Sequence, residues 1–243
     1  MNYRHQWTNF DKNSPDYGHS RGWRVLEGAK DSKTAARYML RRCGRLQRRP
    51  RVAYGVSMGA TASGLAVSSR ATEPRSDRPL FNYWFDVEGV SNIAQEYLLA
   101  RAVGDRSARE IERDFGGTYD ERPHFYERHS IVNRYEDIKA SGIKGVVLVQ
   151  AKDDFKVPYM QSRTMVERLS DVGVRSQFFT VYPNGAPVGH GQEVDLSHPV
   201  IKTGLDRLGA FLKDRIRPRC FQEFAVDGAS GEIIPDPAIA AAC

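Results

Sequence analysis

The feature that most constrains the fold is the pentapeptide at residues 55–59, which reads Gly-Val-Ser-Met-Gly. A short apolar run over residues 52–54 precedes it, and small apolar residues over 60–67 follow it. This order predicts a strand, a very tight turn and a helix. A serine on such a turn has strained backbone angles, so its neighbours two positions away must be small. The turn would point the Ser57 hydroxyl above the sheet, beside the N-terminus of the next helix.

Two later segments add an acid and a histidine. Residues 145–150 are apolar on both faces, which predicts a buried parallel strand, and Asp154 lies in the polar loop that follows. Residues 174–182 alternate like a strand and lead into a loop rich in proline and glycine. His190 lies in that loop between two glycines. The chain order is therefore serine, acid, histidine.

With this order the sequence resembles the α/β-hydrolase family, in which nucleophile, acid and base follow one another along the chain in the same way. The G-x-S-x-G motif around Ser57 and a D-x-x-V-P motif beginning at Asp154 carry the resemblance, which covers roughly residues 1–215. The family's usual His-Gly before the acid loop is replaced here by Gln150 and Ala151. The resemblance implies a mostly parallel sheet with helices on both faces.

The resemblance also implies a chemistry, that of a serine esterase or lipase, or of a prolyl-oligopeptidase-like peptidase. Ser57 would attack an ester or amide carbonyl, with His190 as base and Asp154 as the orienting acid. The backbone N–H of Met58 would stabilise the oxyanion. Gly55 and Gly59 would form the elbow. Such a reaction needs no metal and no organic cofactor, and the expected partner is a small-molecule ester or a peptide.

Other interpretations of single residues stay open at this point. Asp154 is also a good N-cap for a helix beginning near Pro158. Asp86 or Glu88, which end the apolar run 81–85, could supply the acid instead. The remaining histidines of interest are His198, a rival base, and His124 and His129, which we expect at the surface.

The part of the sequence before Ser57 looks short for the family, which usually has several strands and a second oxyanion donor there. No residue is assigned as that donor, so a catalytically impaired or truncated protein with a binding role or none is the alternative function. A helix is expected here, capped by Asp31 or Ser32, with Met39 and Cys43 on its buried face.

The expected organisation is a core over residues 1–216, with residues 90–135 as a cap-like helical insertion and residues 217–243 as a C-terminal tail. Within the insertion, Ser107 is the expected cap of the second helix. If residues 105–128 form a lid, their deletion would change substrate preference more than stability.

Composition limits the partners. The net charge is +6 and the isoelectric point about 9.3, with arginines concentrated over residues 37–51. Because arginines favour the C-terminal end of a helix, this pattern indicates a solvated helix end rather than a nucleic-acid site. No apolar run is long enough to span a membrane. A disulfide between Cys220 and Cys243 would suit a secreted protein, whereas free thiols would suit a cytoplasmic one. Both locations are therefore compatible with the sequence. The oligomeric state is not predicted.

Overall fold

The structure is a computed structural model that describes residues 7–8, 13, 20–21, 24–184, 188–190, 199–212 and 221–235. The strands are β1 (Trp7–Thr8), β2 (Ser20–Arg21), β3 (Val52–Val56), β4 (Tyr83–Val87), β5 (Gly145–Ala151), β6 (Ser176–Tyr182), β7 (Phe221–Asp227) and β8 (Ile233–Ile234). The helices are α1 (Val25–Arg42), α2 (Met58–Ser68), α3 (Ile93–Ala102), α4 (Arg106–Phe115), α5 (Pro123–His129), α6 (Tyr135–Ala140), α7 (Tyr159–Asp171) and α8 (Pro199–Leu212). Short 3₁₀ turns lie at Gly44–Arg48 and Ile131–Asn133.

The central sheet has six strands in the order β3-β4-β5-β6-β7-β8. Neighbouring strands from β3 to β7 are parallel, and β8 pairs antiparallel with β7. The short strands β1 and β2 form a separate antiparallel pair. The predicted mostly parallel sheet is confirmed. All carboxyl ends of β3–β6 reach the same edge of the sheet, which is where the candidate site lies.

Both faces of the sheet are buried under helices, as predicted. Alternate residues divide between two cores: Trp84 and Leu148 belong to the core under α1–α7, whereas Phe85 and Val149 belong to the core under α8. Helix α8 approaches closely, since a Cβ on Gly204 would lie 2.7 Å from the Phe85 ring. The apolar runs of β4 and β5 are thus explained by burial on both sides.

Helix α1 differs from its prediction. It begins at Val25, and its cap residue Arg24 makes no side-chain capping bond, so neither Asp31 nor Ser32 caps it. Its buried residues include Val25 and Leu40, whereas Met39 and Cys43 are exposed. Cys43 follows the last helical residue, so the expectation that it is a buried thiol was wrong. The helix also starts about two turns earlier than the sequence pattern suggested.

The helices of the insertion, α3–α5, pack into the main core. Ile111, Phe115 and Tyr126 are essentially inaccessible and belong to the same core cluster as Trp84. The cap of α4 is Asp105, which accepts the N–H of Ser107, rather than Ser107 itself. Residues 105–128 therefore supply buried core, so we expect their deletion to lower stability as well as to change substrate preference.

Residues 221–235 also differ from the expected tail, because β7 and β8 continue the sheet. The strand pattern of β7 is obscured by Glu223, which is half-buried on the sheet and satisfied by Thr180 Oγ1 at 3.1 Å and Arg163 Nη1 at 3.1 Å. Cys220 and Cys243 lie outside the described residues. Among the described helices, none has the length and apolar character that a membrane crossing requires.

Candidate active site

Ser57 lies on a strained turn between β3 and α2. Its backbone φ is 52° and its ψ is −125°, a conformation that non-glycine residues rarely adopt. The turn is held by the Ser57 N–H, which donates to the carbonyl of Val87 at 2.8 Å. It is also tight, because a Cβ on Gly55 would lie 2.2 Å from the carbonyl oxygen of Gly59. The structure therefore shows why glycine is needed at position 55.

Asp154 follows the carboxyl end of β5, and its carboxylate is fixed by several donors. The backbone N–H groups of Lys156 and Val157 each donate to Oδ1 at 2.8 Å. The side-chain Nε2 of Gln150 donates to Oδ2 at 2.6 Å, and Ser162 Oγ in turn donates to the side-chain Oε1 of Gln150 at 2.9 Å. The substitution of glutamine for the family's histidine thus provides a support for the acid.

The alternative role of Asp154 as a helix cap is not what the structure shows. Helix α7 begins at Tyr159, and its cap residue Pro158 makes no side-chain capping bond. The carboxylate of Asp154 instead closes its own loop ahead of the helix.

His190 connects the serine to the acid. Its Nδ1 lies 2.8 Å from Asp154 Oδ2, and its Nε2 lies 2.8 Å from Ser57 Oγ. Because an ionised carboxylate only accepts hydrogen bonds, Nδ1 carries the hydrogen and Nε2 is left as the acceptor for the serine hydroxyl. The three side chains that the sequence analysis selected therefore form one hydrogen-bonded chain.

The loop of His190 is held by the neighbour of the acid. The carboxylate of Asp153 accepts the N–H of Val188 at 3.0 Å and of Gly189 at 3.2 Å. Sequence reasoning placed Asp153 beside the acid and gave it no role. The only signal was two consecutive aspartates after a buried strand.

The backbone around Met58 suits an anion. Met58 is the first residue of α2, where backbone N–H groups have no acceptor within the helix. The positive end of the helix dipole points at the same place. The N–H of Met58 thus has no acceptor within α2, and Met58 directly follows Ser57 in the chain.

Comparisons with known proteins agree with this architecture. No family model matches the sequence, and no match was found among curated proteins. Among solved structures, Pyrococcus horikoshii acylaminoacyl peptidase matches with a TM-score of 0.53 at 18% identity, over 69% of this chain and 24% of that chain. The chain has the α/β-hydrolase fold.

Two further structures with the α/β-hydrolase fold extend the comparison. A Mycobacterium tuberculosis puromycin-hydrolyzing peptidase matches with a TM-score of 0.54 at 17% identity, over 78% of this chain and 26% of that chain. An acetyl ester-xyloside bifunctional hydrolase from Caldicellulosiruptor lactoaceticus matches with a TM-score of 0.56 at 17% identity, over 79% of this chain and 67% of that chain. This chain thus spans about a quarter of the length of the two peptidases.

Two more carboxyl groups lie at this edge of the α/β-hydrolase fold, at the end of β4. Glu88 is completely buried, and its Oε2 lies 3.5 Å from His190 Nδ1. Asp86 is also buried and accepts the N–H of Gly89 at 2.9 Å. Burial raises the pKa of Asp86 to about 7, although the bond from Gly89 opposes the shift. Of the two alternative acids, the structure thus brings Glu88 to the imidazole.

Glu96 on α3 is a further acid that sequence reasoning missed. Burial raises its pKa to about 7, with Asp154 and Asp105 adding to the shift, and His190 opposing it. Glu96 also lines an adjacent cleft of about 360 Å³ together with mainly apolar residues, among them Leu99, Val103 and Phe155. Since the cleft includes the residues that follow Asp154, it borders the candidate site.

His124 and His129 take no part in this arrangement. His124 is exposed, as expected. His129 is half-buried instead, since its Nδ1 lies 2.7 Å from the Phe125 carbonyl and its ring lies against that of Phe115. Burial lowers the pKa of His129. His198 lies outside the described residues.

Metal-ligand spacing occurs within the site itself. Glu88, Asp154 and His190 each present a ligand atom, and these atoms lie within 4.8 Å of one another. The imidazole nitrogen that faces both carboxylates is Nδ1, which carries a hydrogen when it donates to Asp154. The residues therefore suit a hydrogen-bonded imidazole, and a metal there would have to displace that hydrogen.

Proposed function

We propose that this chain is a serine hydrolase that cleaves a carboxylic ester through an acyl-enzyme on Ser57. The observation that carries the proposal is the hydrogen-bonded chain from Ser57 Oγ through His190 to Asp154, with 2.8 Å at each step. The strained backbone of Ser57, with a φ of 52°, also supports the proposal, because such strain is concentrated at active sites.

The chemistry follows from the roles of the three side chains. His190 Nε2 takes the proton of the Ser57 hydroxyl as Oγ bonds to the substrate carbonyl carbon. Asp154 stabilises the imidazolium that forms, and the Met58 N–H meets the oxyanion. The imidazolium then protonates the leaving alcohol as the tetrahedral intermediate collapses. Water, activated by the same histidine, releases the acid and restores Ser57.

An ester suits the site better than an amide. An alcohol is a better leaving group than an amine, so ester cleavage demands less stabilisation of the oxyanion. The Met58 N–H is the oxyanion donor assigned in the described part of the chain, and each such donor contributes about 100- to 1,000-fold in turnover. Peptide cleavage is the second candidate, because two of the similar structures are those of peptidases.

The adjacent cleft bears on the substrate. Its lining is mainly apolar, and Phe155 and Val103 are 77% and 80% exposed there. Exposed apolar side chains in a concave site favour an apolar group of a ligand. We expect this cleft to accept the acyl or alcohol portion of an uncharged ester.

The proposal is tested by hydrolysis of p-nitrophenyl esters of increasing acyl length, with Ser57→Ala as the matched control. Hydrolysis by the wild-type chain with a burst of p-nitrophenol, absent from Ser57→Ala, would support it. Cleavage of aminoacyl p-nitroanilides in place of esters would favour the peptidase. No Ser57-dependent turnover on either class would favour the catalytically impaired alternative.

A further inference from the structure

A buried carboxylate that the proposed mechanism does not use lies against the imidazole of His190. Oε2 of Glu88 is 3.5 Å from His190 Nδ1, while Asp154 Oδ2 is 2.8 Å from the same nitrogen. The side chains of both acids are completely buried. A separation of 3.5 Å is an ion-pair contact rather than a good hydrogen bond. Two acids therefore face one ring nitrogen, at two different distances.

The backbone at Glu88 is shaped for this placement. Glu88 has a φ of 52°, which is unusual for a residue with a side chain. Its N–H donates to the carbonyl of Val149 on β5 at 2.8 Å, which ties the turn to the strand that carries Asp154. On the other side, the carbonyl of Val87 accepts the N–H of Ser57. The turn that presents Glu88 is thus bonded to the elements of both the nucleophile and the acid.

The residue after Glu88 has no room for a side chain. A Cβ on Gly89 would lie 2.4 Å from both carboxylate oxygens of Asp86 and 2.7 Å from the Cβ of Ala60. Strained backbone persists only where its surroundings fix it, and such places are concentrated at active sites. The strained backbone conformation of Glu88 is held by its hydrogen bond to β5, by the bond between Ser57 and Val87, and by the close packing of Gly89 on Asp86.

We propose that Glu88 is a second positioning carboxylate for His190, which acts beside Asp154. Glu88 contributes its negative charge when the imidazole becomes positively charged, and it accepts the Nδ1 hydrogen when Asp154 is removed. No covalent bond to Glu88 forms or breaks while the Ser57 proton moves to Nε2. The inference rests on the proposed function only in its kinetic part.

Other charged groups near the ring have to be kept constant in a test. Asp154 faces Nδ1 from the end of β5, and Glu96 interacts with His190 from α3. Asp153 holds the loop of His190 from behind. The test therefore changes Glu88 and Asp154 alone and leaves Glu96 and Asp153 in place.

The test is a double-mutant cycle of Glu88→Gln and Asp154→Asn, with the labelling rate of Ser57 by a fluorophosphonate as the kinetic readout. In a protease with one acid, the Asp-to-Asn change costs about ten-thousand-fold. Here Asp154→Asn alone should cost about 100-fold, Glu88→Gln alone about five- to ten-fold, and the two together about ten-thousand-fold. Glu88→Asp, which keeps the charge, should recover part of the loss seen with Glu88→Gln.

A second readout does not depend on catalysis. The low-field proton resonance of His190 Nδ1–H should shift in Glu88→Gln, persist in Asp154→Asn and vanish in the double variant. Asp114→Asn, which removes a carboxylate on α4 whose side chain is 4% exposed and lies 3.8 Å from Arg24 Nη1, is the control for stability and should leave the resonance unchanged. Urea unfolding of each variant verifies that it is folded.

The outcomes separate this inference from the proposed function. If Asp154→Asn and the double variant give equal labelling rates and the same loss of the resonance, Glu88 has no such role. If the resonance behaves as described but wild-type Ser57 is not labelled, the positioning role stands and the proposed hydrolase fails.

Discussion

The carboxylate of Asp153 accepts the backbone N–H of Val188 at 3.0 Å, two residues before His190. The next residue, Asp154, contacts the imidazole itself. Two consecutive aspartates after β5 therefore have different functions, because one holds the loop and the other holds the ring. This division follows from the turn at the end of β5, which points the two side chains to different partners.

Replacement of Asp153 should affect the candidate site more than the fold. Asp153→Ala removes the acceptor for two backbone N–H groups, so the loop of His190 loses its fixed position. We expect the rate of Ser57 labelling to fall about ten-fold, while the free energy of unfolding changes by about 1 kcal/mol or less. Stopped-flow labelling and urea unfolding measure the two. Asp77→Ala, at an exposed position, is the control, and equal labelling rates in both variants would count against the role of Asp153.

The elbow should not tolerate a side chain at position 55. Gly55→Ala places a Cβ about where the Gly59 carbonyl lies, at 2.2 Å, so the backbone must move. We expect loss of Ser57 labelling and a decrease in stability of about 2–4 kcal/mol. Gly209→Ala on α8 is the matched control, because a Cβ there meets no atom within 4 Å. That change should stabilise the helix by about 0.5–1 kcal/mol, and a tolerated Gly55→Ala would show that the turn is less tight than described.

Asp86 should make stability depend on pH. Burial raises its pKa from 3.8 to about 7, so in the folded chain the carboxyl stays neutral where the unfolded chain ionises. The contribution of this group to the free energy of unfolding is fully present below about pH 4 and is lost as the pH rises to about 7. Asp86→Asn lacks this loss. Between pH 4.5 and 7.5 its free energy of unfolding should therefore rise by about 1–4 kcal/mol relative to that of the wild-type chain.

Urea unfolding at these two pH values tests the effect of Asp86. Glu96 and Asp114 also have raised pKa values but are present in both proteins, so their contributions cancel. Glu232→Gln at an exposed site is the control. Parallel pH dependences of wild-type and Asp86→Asn would contradict the account.

Substitution of two phenylalanines should distinguish a role in the buried core of the insertion from a role in the cleft. Phe115 is 1% exposed and packs against Phe125 and Tyr126, so Phe115→Ala should cost about 3–5 kcal/mol. Phe155 is 77% exposed in the cleft, so Phe155→Ala should leave stability within about 0.5 kcal/mol. We expect Phe155→Ala to raise KM for long-chain esters instead. Thermal unfolding and ester kinetics measure these effects, and a similar loss of stability in both would contradict them.

Local patterns made much of the fold predictable. The turn at Ser57 was predictable from the spacing of its glycines. The strands β4 and β5 were predictable because burial on both faces requires a continuous apolar run. Strand β7 could not be predicted, because Glu223 interrupts its apolar pattern and contacts Thr180 and Arg163, which are distant in sequence. The start of α1 was missed for a similar reason, since a stripe that packs on α2 is set by tertiary contacts.

The candidate site was predictable in its residues and less so in its supports. Chain order selected Ser57, Asp154 and His190, and the structure brings them together. The bonds of Gln150 and Asp153 and the approach of Glu88 depend on side-chain directions at the ends of three strands. No periodicity encodes those directions, so they became visible only in three dimensions.

Whether Ser57 is the nucleophile is decided by the site of covalent labelling by a fluorophosphonate, mapped by mass spectrometry on the native chain and on Ser57→Ala. We expect one adduct on the peptide that contains Ser57, no adduct on that peptide in Ser57→Ala, and much slower labelling in His190→Ala. Labelling that persists without Ser57, or a native chain that takes up no probe at Ser57, would contradict this expectation.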